Sequence, residues 1–190
     1  MTDALTLRLD ALTAAQCETV RQWRNLTPEL WRTPFLLTEP QQAEFFRDVV
    51  CARRALSRYW AVIDLEHPES DRRFVGMVGL NPIAFENGTA EVSLVIDPSR
   101  RRSGIGREAV RLVLREAFAR LRLEAVTAEV YRCNAAAVAF WSDVLSVYGS
   151  HIAELPSRKF YDGVCWPATV YTVLRVGWVA ANKVSAEGKA

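Results

Sequence analysis

The chain has 190 residues, half of them hydrophobic, which suits one domain with a sizeable core. Its 24 basic and 22 acidic residues leave a net charge of +2, too small to indicate a nucleic-acid partner. The four cysteines form no C-x-x-C pair and only two histidines could join them, so we expect no metal site. Because no segment reaches the ~18 apolar residues of a membrane span and the acidic N-terminus is unlike a signal peptide, we expect a cytoplasmic protein.

The first third of the chain predicts one strand and two capped helices. Residues Thr6–Asp10 alternate apolar and polar side chains, as a half-buried strand does. Thr13–Gln16 and Thr38–Gln41 both have the spacing of a capping box, and the second helix should run to about Ala55. The stretch between the helices is aromatic and contains prolines, which favours a wall or lid over a substrate.

The middle of the chain predicts a hairpin followed by a crossover. Strands are expected at Tyr59–Ile63 and Phe74–Leu80, and Asn87-Gly88 predicts a turn into a strand over Thr89–Asp97. Apolar residues then repeat at three- and four-residue steps from Ala109 to Leu121, before another strand at Ala125–Tyr131. This strand-helix-strand order predicts a parallel, right-handed connection.

The last part predicts a helix capped by Asn134 and two strands, near Ser150–Glu154 and Thr169–Val176. We expect a single domain over residues 1–178 and a flexible tail over 179–190. Together the elements predict an α/β (α+β) fold, with a mixed sheet of about seven strands flanked by about four helices.

The stretch from Ser93 to Arg107 predicts an anion site. An apolar strand ends in Asp97-Pro98, and three arginines and two glycines lead into a helix. Glycines let consecutive backbone N–H groups converge, the helix N-terminus adds the positive end of its dipole, and guanidinium groups suit phosphate oxygens. A diphosphate is the expected ligand.

The pattern Arg101-x-x-Gly104-x-Gly106 after a strand resembles the pyrophosphate loop of the GNAT superfamily of acetyl-CoA-dependent N-acetyltransferases. The resemblance implies that acetyl-CoA lies between two splayed parallel strands of the sheet. It implies backbone pairing of the pantetheine arm with Leu94, Val95 and Ile96. The pyrophosphate would be held by Arg101, Arg102, Ser103, Gly104, Ile105, Gly106 and Arg107.

The stretch Asn134–Trp141 resembles the family's later cofactor segment and implies cofactor contacts for Asn134, Ala137, Phe140 and Trp141. It departs from the family at Trp141, where a tyrosine often protonates the leaving thiolate, which an indole cannot do. A coenzyme A thiolate near a helix dipole is stable enough to leave without a dedicated acid, and Tyr131 or a water is the alternative donor. Glu91 is the candidate base, because aminolysis of a thioester requires a neutral amine.

The N-terminal segment contains Trp23-Arg24-Asn25, then Trp31–Phe35, then Thr38 with Phe45-Phe46. It loosely resembles the N-terminal region of the ribosomal-protein N-terminal and nucleotide-amino-sugar acetyltransferases. It implies an amine acceptor, small molecule or peptide, near Trp31, Phe35, Asn81 and Tyr161. A homodimer is expected, without a nucleic-acid or membrane partner. The acceptor itself stays open.

Two alternatives remain at this point. Gly104–Ala109 also fits the G-x-G-x-x-A fingerprint of a nicotinamide dinucleotide site, although six residues separate it from the strand and Tyr131-Arg132 stands where an acid belongs. A GNAT-fold protein that binds coenzyme A without turnover is the other, since the tyrosine is missing at position 141.

Overall fold

The computed structural model describes residues 6–52, 56–66 and 73–187. It contains seven strands in one sheet, in the order β1-β2-β3-β4-β5-β7-β6, and five helices. The strands are β1 (Leu7–Ala11), β2 (Arg58–Asp64), β3 (Phe74–Ala84), β4 (Thr89–Ile96), β5 (Ala125–Tyr131), β6 (His151–Tyr161) and β7 (Val164–Leu174). The helices are α1 (Ala14–Asn25), α2 (Glu39–Phe45), α3 (Ile105–Arg115), α4 (Ala135–Ser146) and α5 (Arg175–Glu187). The predicted mixed α/β fold is confirmed.

The chain divides into two compact units. The first comprises Met1–Pro82 and Ser93–Val113, and the second Ile83–Val92 and Leu114–Ala190. The prediction of a single domain over residues 1–178 stays a prediction. Within the described residues, no helix is both long and apolar enough to cross a membrane.

Both predicted capping boxes are present in the first unit. The Thr13 hydroxyl accepts a hydrogen bond from the Gln16 N–H, and the Gln16 side-chain oxygen accepts one from the Thr13 N–H. Thr38 and Gln41 do the same for α2. That helix ends as an α-helix at Phe45 and continues as one wider turn to Val50, somewhat short of the predicted end.

The core of the first unit lies between its helices and the strands β1, β2 and β3. Val20 and Cys17 of α1 are buried there, and burial raises the pKa of the Cys17 thiol to about 11. Of the other cysteines, Cys51 and Cys165 are exposed and Cys133 is half-buried. The buried cluster is Leu12, Cys17, Val20, Ala61, Ile63, Met77 and Val95.

The predicted parallel pairing of strands is present, and its paired residues belong to the second unit. β4 and β5 pair in parallel from Thr89–Ala125 to Glu91–Thr127, and α3 lies between them in the chain. β5 also pairs antiparallel with β7 along its whole length. The strands β6 and β7 form a hairpin much longer than the predicted pair, turning at Asp162-Gly163, where both residues have positive φ. β6 was underestimated because most of its side chains are exposed and show no alternation.

We predicted no regular element from residue 179 onward, whereas the structure has a fifth helix, α5, from Arg175 to Glu187; that the tail is flexible stays a prediction. A tertiary contact accounts for the helix: the Trp178 ring lies 5.7 Å from that of Phe118. An aromatic contact of this kind stabilises a terminal helix that its own propensity would not hold.

Replacing Thr13 with Ala removes the side-chain half of the first capping box. We expect a loss of about 1 kcal/mol in the free energy of unfolding, seen as a fall of about 2–4 °C in Tm. Thr19→Ala is the matched control, because its hydroxyl only donates to Ala15 O inside the same helix and alanine is the better helix former. Equal Tm values for the two variants would contradict a stabilising role of the cap.

Candidate active site

The loop between β4 and α3 begins with a tight turn built on Asp97. The Asp97 carboxylate accepts from the backbone N–H and the hydroxyl of Ser99, each at 2.8 Å, and the Arg100 N–H donates to Asp97 O at 2.9 Å. Pro98 fixes the first position of this turn. The end of the strand is therefore closed by local bonds, and the arginines follow at a defined position.

The loop then reverses direction through two left-handed residues, Arg102 (φ 64°) and Gly104 (φ 87°). Glycine adopts such a φ at little energetic cost, whereas the same φ strains the backbone at Arg102. Backbone strain of this kind occurs mainly at functional sites. Ser103 helps to hold this conformation, since its hydroxyl donates to Arg100 O at 2.6 Å. The left-handed Arg102 was not predicted, and no sequence signal distinguishes it from its two arginine neighbours.

The start of α3 leaves backbone donors available to a ligand. The first helical hydrogen bond runs from the Glu108 N–H to Gly104 O at 3.1 Å, so the N–H groups of Ile105 and Gly106 precede the helical ladder. Arg101, Arg102 and Gly104 are exposed beside them. Exposed guanidinium groups and unpaired N–H groups are the donors that a pyrophosphate requires, so the loop fits that part of acetyl-CoA.

A buried ion pair that the sequence did not predict fixes this loop. Asp64, at the end of β2, is fully buried, and its carboxylate accepts from Arg100 Nη2 at 2.8 Å and from the Glu66 N–H at 3.0 Å. Arg100 is thereby directed inward, while the next two arginines stay exposed. The sequence does show a carboxylate, Asp64, directly after the apolar run of β2, which could have indicated a buried charge. Its partner Arg100 lies 36 residues away, so the pair itself could not be predicted.

The second half of β4 directs alternate backbone groups to its two sides. The Asp97 N–H donates to Val75 O on β3 at 3.0 Å. Val95 O lies close to Gly76 of β3, since a Cβ atom on Gly76 would be only 2.6 Å from this oxygen. Peptide groups alternate along a strand, so those of Leu94 and Ile96 are directed away from β3. That side is the one on which a ligand could pair with β4, as predicted for pantetheine.

Another observation on β4 concerns Ser93. Its hydroxyl is shielded from solvent and has no hydrogen-bond partner in the described part of the chain. Because buried hydroxyls in folded proteins are almost always bonded, this one is a group that a bound ligand could satisfy. The Val95 side chain, by contrast, belongs to the buried core cluster, and its carbonyl oxygen lies on the β3 side of the strand, so its predicted contact with pantetheine stays a prediction.

In the second unit, the structure brings the predicted acid Tyr131 together with the predicted acceptor residue Tyr161. Lys159 lies between them, with its Nζ 5.2 Å from the Tyr131 ring centroid and 5.6 Å from that of Tyr161. Both Lys159 and Tyr131 are buried. Lysine over aromatic faces is a stabilising arrangement, and the sequence did not reveal it because Lys159 belongs to the unpredicted half of β6.

The remaining cofactor residues of this unit lie on α4. Asn134 caps the helix, as predicted, and its side-chain oxygen accepts from the Ala137 N–H at 3.0 Å. Phe140 and the buried Trp141 meet edge to face, with ring centroids 5.2 Å apart. The candidate base Glu91 is half-buried on β4 and pairs in register with Thr127 of β5. The cofactor and catalytic roles of these residues stay predictions.

The predicted acceptor residues of the first unit occupy two places. Trp31 follows α1 and donates from Nε1 to Arg24 O at 3.1 Å, while Phe35 is exposed. Asn81 lies on β3, where its side-chain oxygen accepts from the Ser57 hydroxyl at 2.6 Å. Among the described residues, no group of His, Cys, Asp and Glu side chains could hold a metal ion.

The model of the acetyltransferase (GNAT) domain matches residues 6–142 of this chain. No curated protein matches it. Among solved structures, the spermidine N-acetyltransferase SpeG of Vibrio cholerae, in complex with CoA and spermine, is similar at 19% identity and a TM-score of 0.75. That alignment covers 91% of this chain and 98% of the other.

Two further structures of the same enzyme are similar to this chain. The K23-Q34 chimera of Vibrio cholerae SpeG and hSSAT is 18% identical, with a TM-score of 0.76 and coverage of 91% and 98%. The dodecameric structure in an intermediate state is 19% identical, with a TM-score of 0.71 and coverage of 92% and 95%. At these identities the likeness shows a shared fold.

Replacing Asp64 with Asn removes the charge that holds Arg100. We expect a loss of about 2 kcal/mol in the free energy of unfolding, below the range for a sealed pair because Arg100 keeps some solvent contact. The Tm should fall by about 4–8 °C, and KM for acetyl-CoA should rise about tenfold as the loop loses its fixed position.

Asp10→Asn is the control for this experiment, because it breaks the exposed Arg8–Asp10 pair in the same unit. We expect it to leave Tm and KM unchanged. An Asp64→Asn variant with wild-type KM for acetyl-CoA would show that the ion pair does not position the loop.

Proposed function

The chain belongs to the GNAT acetyltransferase family, and from this membership we propose how its residues act: the Arg101–Arg107 loop binds pyrophosphate while an amine attacks the thioester directly. Membership makes the protein an acetyl-CoA-dependent N-acetyltransferase. It also removes the nicotinamide oxidoreductase from consideration. The observation that carries the cofactor assignment is the loop, with its two left-handed residues and its exposed guanidinium groups at the start of α3.

The loop and β4 perform the binding half of the reaction. The N–H groups of Ile105 and Gly106 and the side chains of Arg101 and Arg102 neutralise the pyrophosphate. Leu94 and Ile96 offer backbone groups on the side of β4 away from β3, where they pair with the pantetheine arm. Binding on a rigid strand and a loop fixed by an ion pair holds the thioester in one position for attack.

Acetyl-CoA, when bound, supplies a thioester whose carbonyl carbon accepts the nitrogen lone pair of the acceptor. The chain must then remove a proton from that nitrogen and accommodate the departing thiolate. We assign the first task to Glu91, half-buried on β4. Tyr131 is the candidate donor to the thiolate, since Trp141 occupies the place of the family's usual tyrosine and indole is no acid at neutral pH.

The acceptor is an amine. We propose a cytoplasmic location, supported by the free, exposed thiols of Cys51 and Cys165, which persist in a reducing compartment. We also propose a homodimer. Exposed apolar side chains on the β6–β7 hairpin, Ile152, Phe160 and Val164, support it, as does the oligomeric state of the dodecameric structure.

Replacing both Arg101 and Arg102 with Ala tests the loop. We expect KM for acetyl-CoA to rise about 10–100-fold, because two charge-assisted contacts to phosphate are lost. The KM for acetyl-pantetheine, which has no pyrophosphate, should not change.

The matched control is Arg115→Ala with Arg120→Ala, which removes the same charge from two exposed arginines. It should behave as wild type toward both donors. Equal losses for acetyl-CoA and acetyl-pantetheine in the loop variant would contradict the pyrophosphate assignment.

Replacing Glu91 with Gln tests the base. The variant depends on amine that is already neutral, and an ordinary amine is mostly protonated below its pKa. We therefore expect kcat to fall about 10²–10⁴-fold near pH 6 and less near pH 9, with KM for acetyl-CoA unchanged.

Glu129→Gln is the control, since Glu129 is a glutamate on the adjacent strand β5 that pairs with Arg158. It should retain the wild-type pH profile. If Glu91→Gln also retains that profile, another group or water removes the proton.

A further inference from the structure

A half-buried arginine, Arg24, lies at the end of α1 and has no counter-ion among the described residues. Arg24 donates from Nη2 to the Thr33 hydroxyl at 3.0 Å, and its guanidinium carbon lies 5.5 Å from the centroid of the Trp31 ring. Its Nε is shielded from solvent and has no hydrogen-bond partner. The guanidinium is thus held in one orientation by a hydroxyl and an aromatic face, and neither of these carries charge.

No carboxylate in the described ranges 6–52, 56–66 and 73–187 lies within salt-bridge distance of Arg24. Burial lowers the pKa of its guanidinium, the direction expected when a cation loses water without gaining an anion. Arg21, one turn earlier on α1, shows the ordinary solution, since its Nε donates to the Glu18 carboxylate at 2.8 Å. A cation shielded without such a partner destabilises the chain unless something else supplies the negative charge.

Arg24 lies in the part of the first unit that also contains the cofactor strand. Trp31 and Tyr59 pack against the buried cluster to which Val95 of β4 belongs. The segment after Trp31 is fastened to α1, because Asn25 exchanges two hydrogen bonds with the Leu37 backbone, each at 2.9 Å. Arg24 therefore sits on a wall that is already built, rather than on a surface loop.

We propose that Arg24 binds an anionic group of the amine acceptor, so that the acceptor is an amine carrying a phosphate or a carboxylate. This inference rests on the proposed N-acetyltransferase function. The bound anion supplies the counter-charge that the described part of the chain does not offer to Arg24, and the planar guanidinium is suited to two oxygens of either group. The orphaned Nε becomes a donor to the ligand once the side chain adjusts to it.

The same arrangement disfavours a polycationic acceptor. A second cation brought near an arginine that has no counter-ion raises the electrostatic cost of binding. Discrimination should therefore follow the charge of the substituent and not the basicity of the amine. Phosphate and carboxylate share the recognition chemistry, and the two sources are separated by paired substrates.

Binding of simple anions gives a test that does not require turnover. With CoA at saturation to occupy the pyrophosphate loop, inorganic phosphate or acetate is titrated against chloride at equal ionic strength, and Tm is recorded. We expect one of the two anions to raise the wild-type Tm by about 2–4 °C when it is at roughly tenfold its Kd. The rise should vanish in Arg24→Gln and persist in part in Arg24→Lys.

The same titration in an Arg101→Ala/Arg102→Ala background removes the loop as an anion site. If CoA fails to bind, the titration in this background still tests anion binding at Arg24. A failure of CoA to bind would count against the proposed function alone. Failure of both anions to raise the wild-type Tm, or an equal rise in Arg24→Gln, would overturn the role of Arg24. If Arg24→Gln does not fold, the wild-type titration and Arg24→Lys decide.

Turnover gives a second test of Arg24. The first pair of substrates is glucosamine 6-phosphate and glucosamine, the second is glycine and glycinamide, and spermidine is the polycationic amine. Within one pair, we expect kcat/KM to favour the anionic member about 10–100-fold. Arg24→Gln should abolish this preference by raising KM for the anionic amine, with KM for acetyl-CoA unchanged. A wild-type preference for spermidine, or an equal loss for charged and neutral members, would show that Arg24 serves only the packing of Trp31.

Discussion

The ion pair between Asp64 and Arg100 is the constraint on which the cofactor side of the protein depends. Asp64 has no contact with solvent, so its charge is tolerated only while a cation and a backbone N–H hold it. That requirement fixes the end of β2 against the turn that leads into α3. A loop that binds phosphate by backbone N–H groups has to keep those groups in place before the ligand arrives, and a buried ion pair does this without occupying the donors themselves.

Arg100, the pair Arg101 and Arg102, and Arg24 have three different environments, and each environment implies a different role. Arg100 is directed inward to a buried carboxylate and has a structural role. Arg101 and Arg102 remain exposed on the loop, where an arriving anion can reach them. Arg24 is half-buried beside Trp31, and no carboxylate of the residues that the structure describes pairs with it. We therefore infer the role of each arginine from the environment of its guanidinium and not from the number of arginines. The three roles are a structural one, a proposed contact to the cofactor and a proposed contact to the acceptor.

The sequence was informative where the governing interactions are local. The capping boxes at Thr13 and Thr38, the turn at Asn87-Gly88 and the order of strand, arginine loop and helix all depend on residues close together in the chain. They predicted the fold and the place of the arginine loop between β4 and α3. The Asp64–Arg100 pair escaped prediction because residue type alone does not say which of several arginines reaches a carboxylate 36 positions away.

The cluster of Tyr131, Lys159 and Tyr161 escaped for the same reason, since it depends on the register of a hairpin. Helix α5 was missed because a ring contact with Phe118, and not its own sequence pattern, accounts for its order. The catalytic and acceptor residues could be named from a resemblance, but their chemistry depends on side-chain environment, which a one-dimensional pattern does not carry.

The contact at Gly76 has a consequence for how this sequence can diverge. A Cβ at that position would lie 2.6 Å from Val95 O and 2.7 Å from the Ile96 side chain. Any side chain there would displace β4 just before the turn that carries the arginines, and a backbone carbonyl cannot yield as a flexible side chain can. Descendants that retain this loop geometry must therefore retain glycine at position 76. The residue takes no part in the reaction, but its presence marks chains in which the loop can keep the position needed to bind the cofactor.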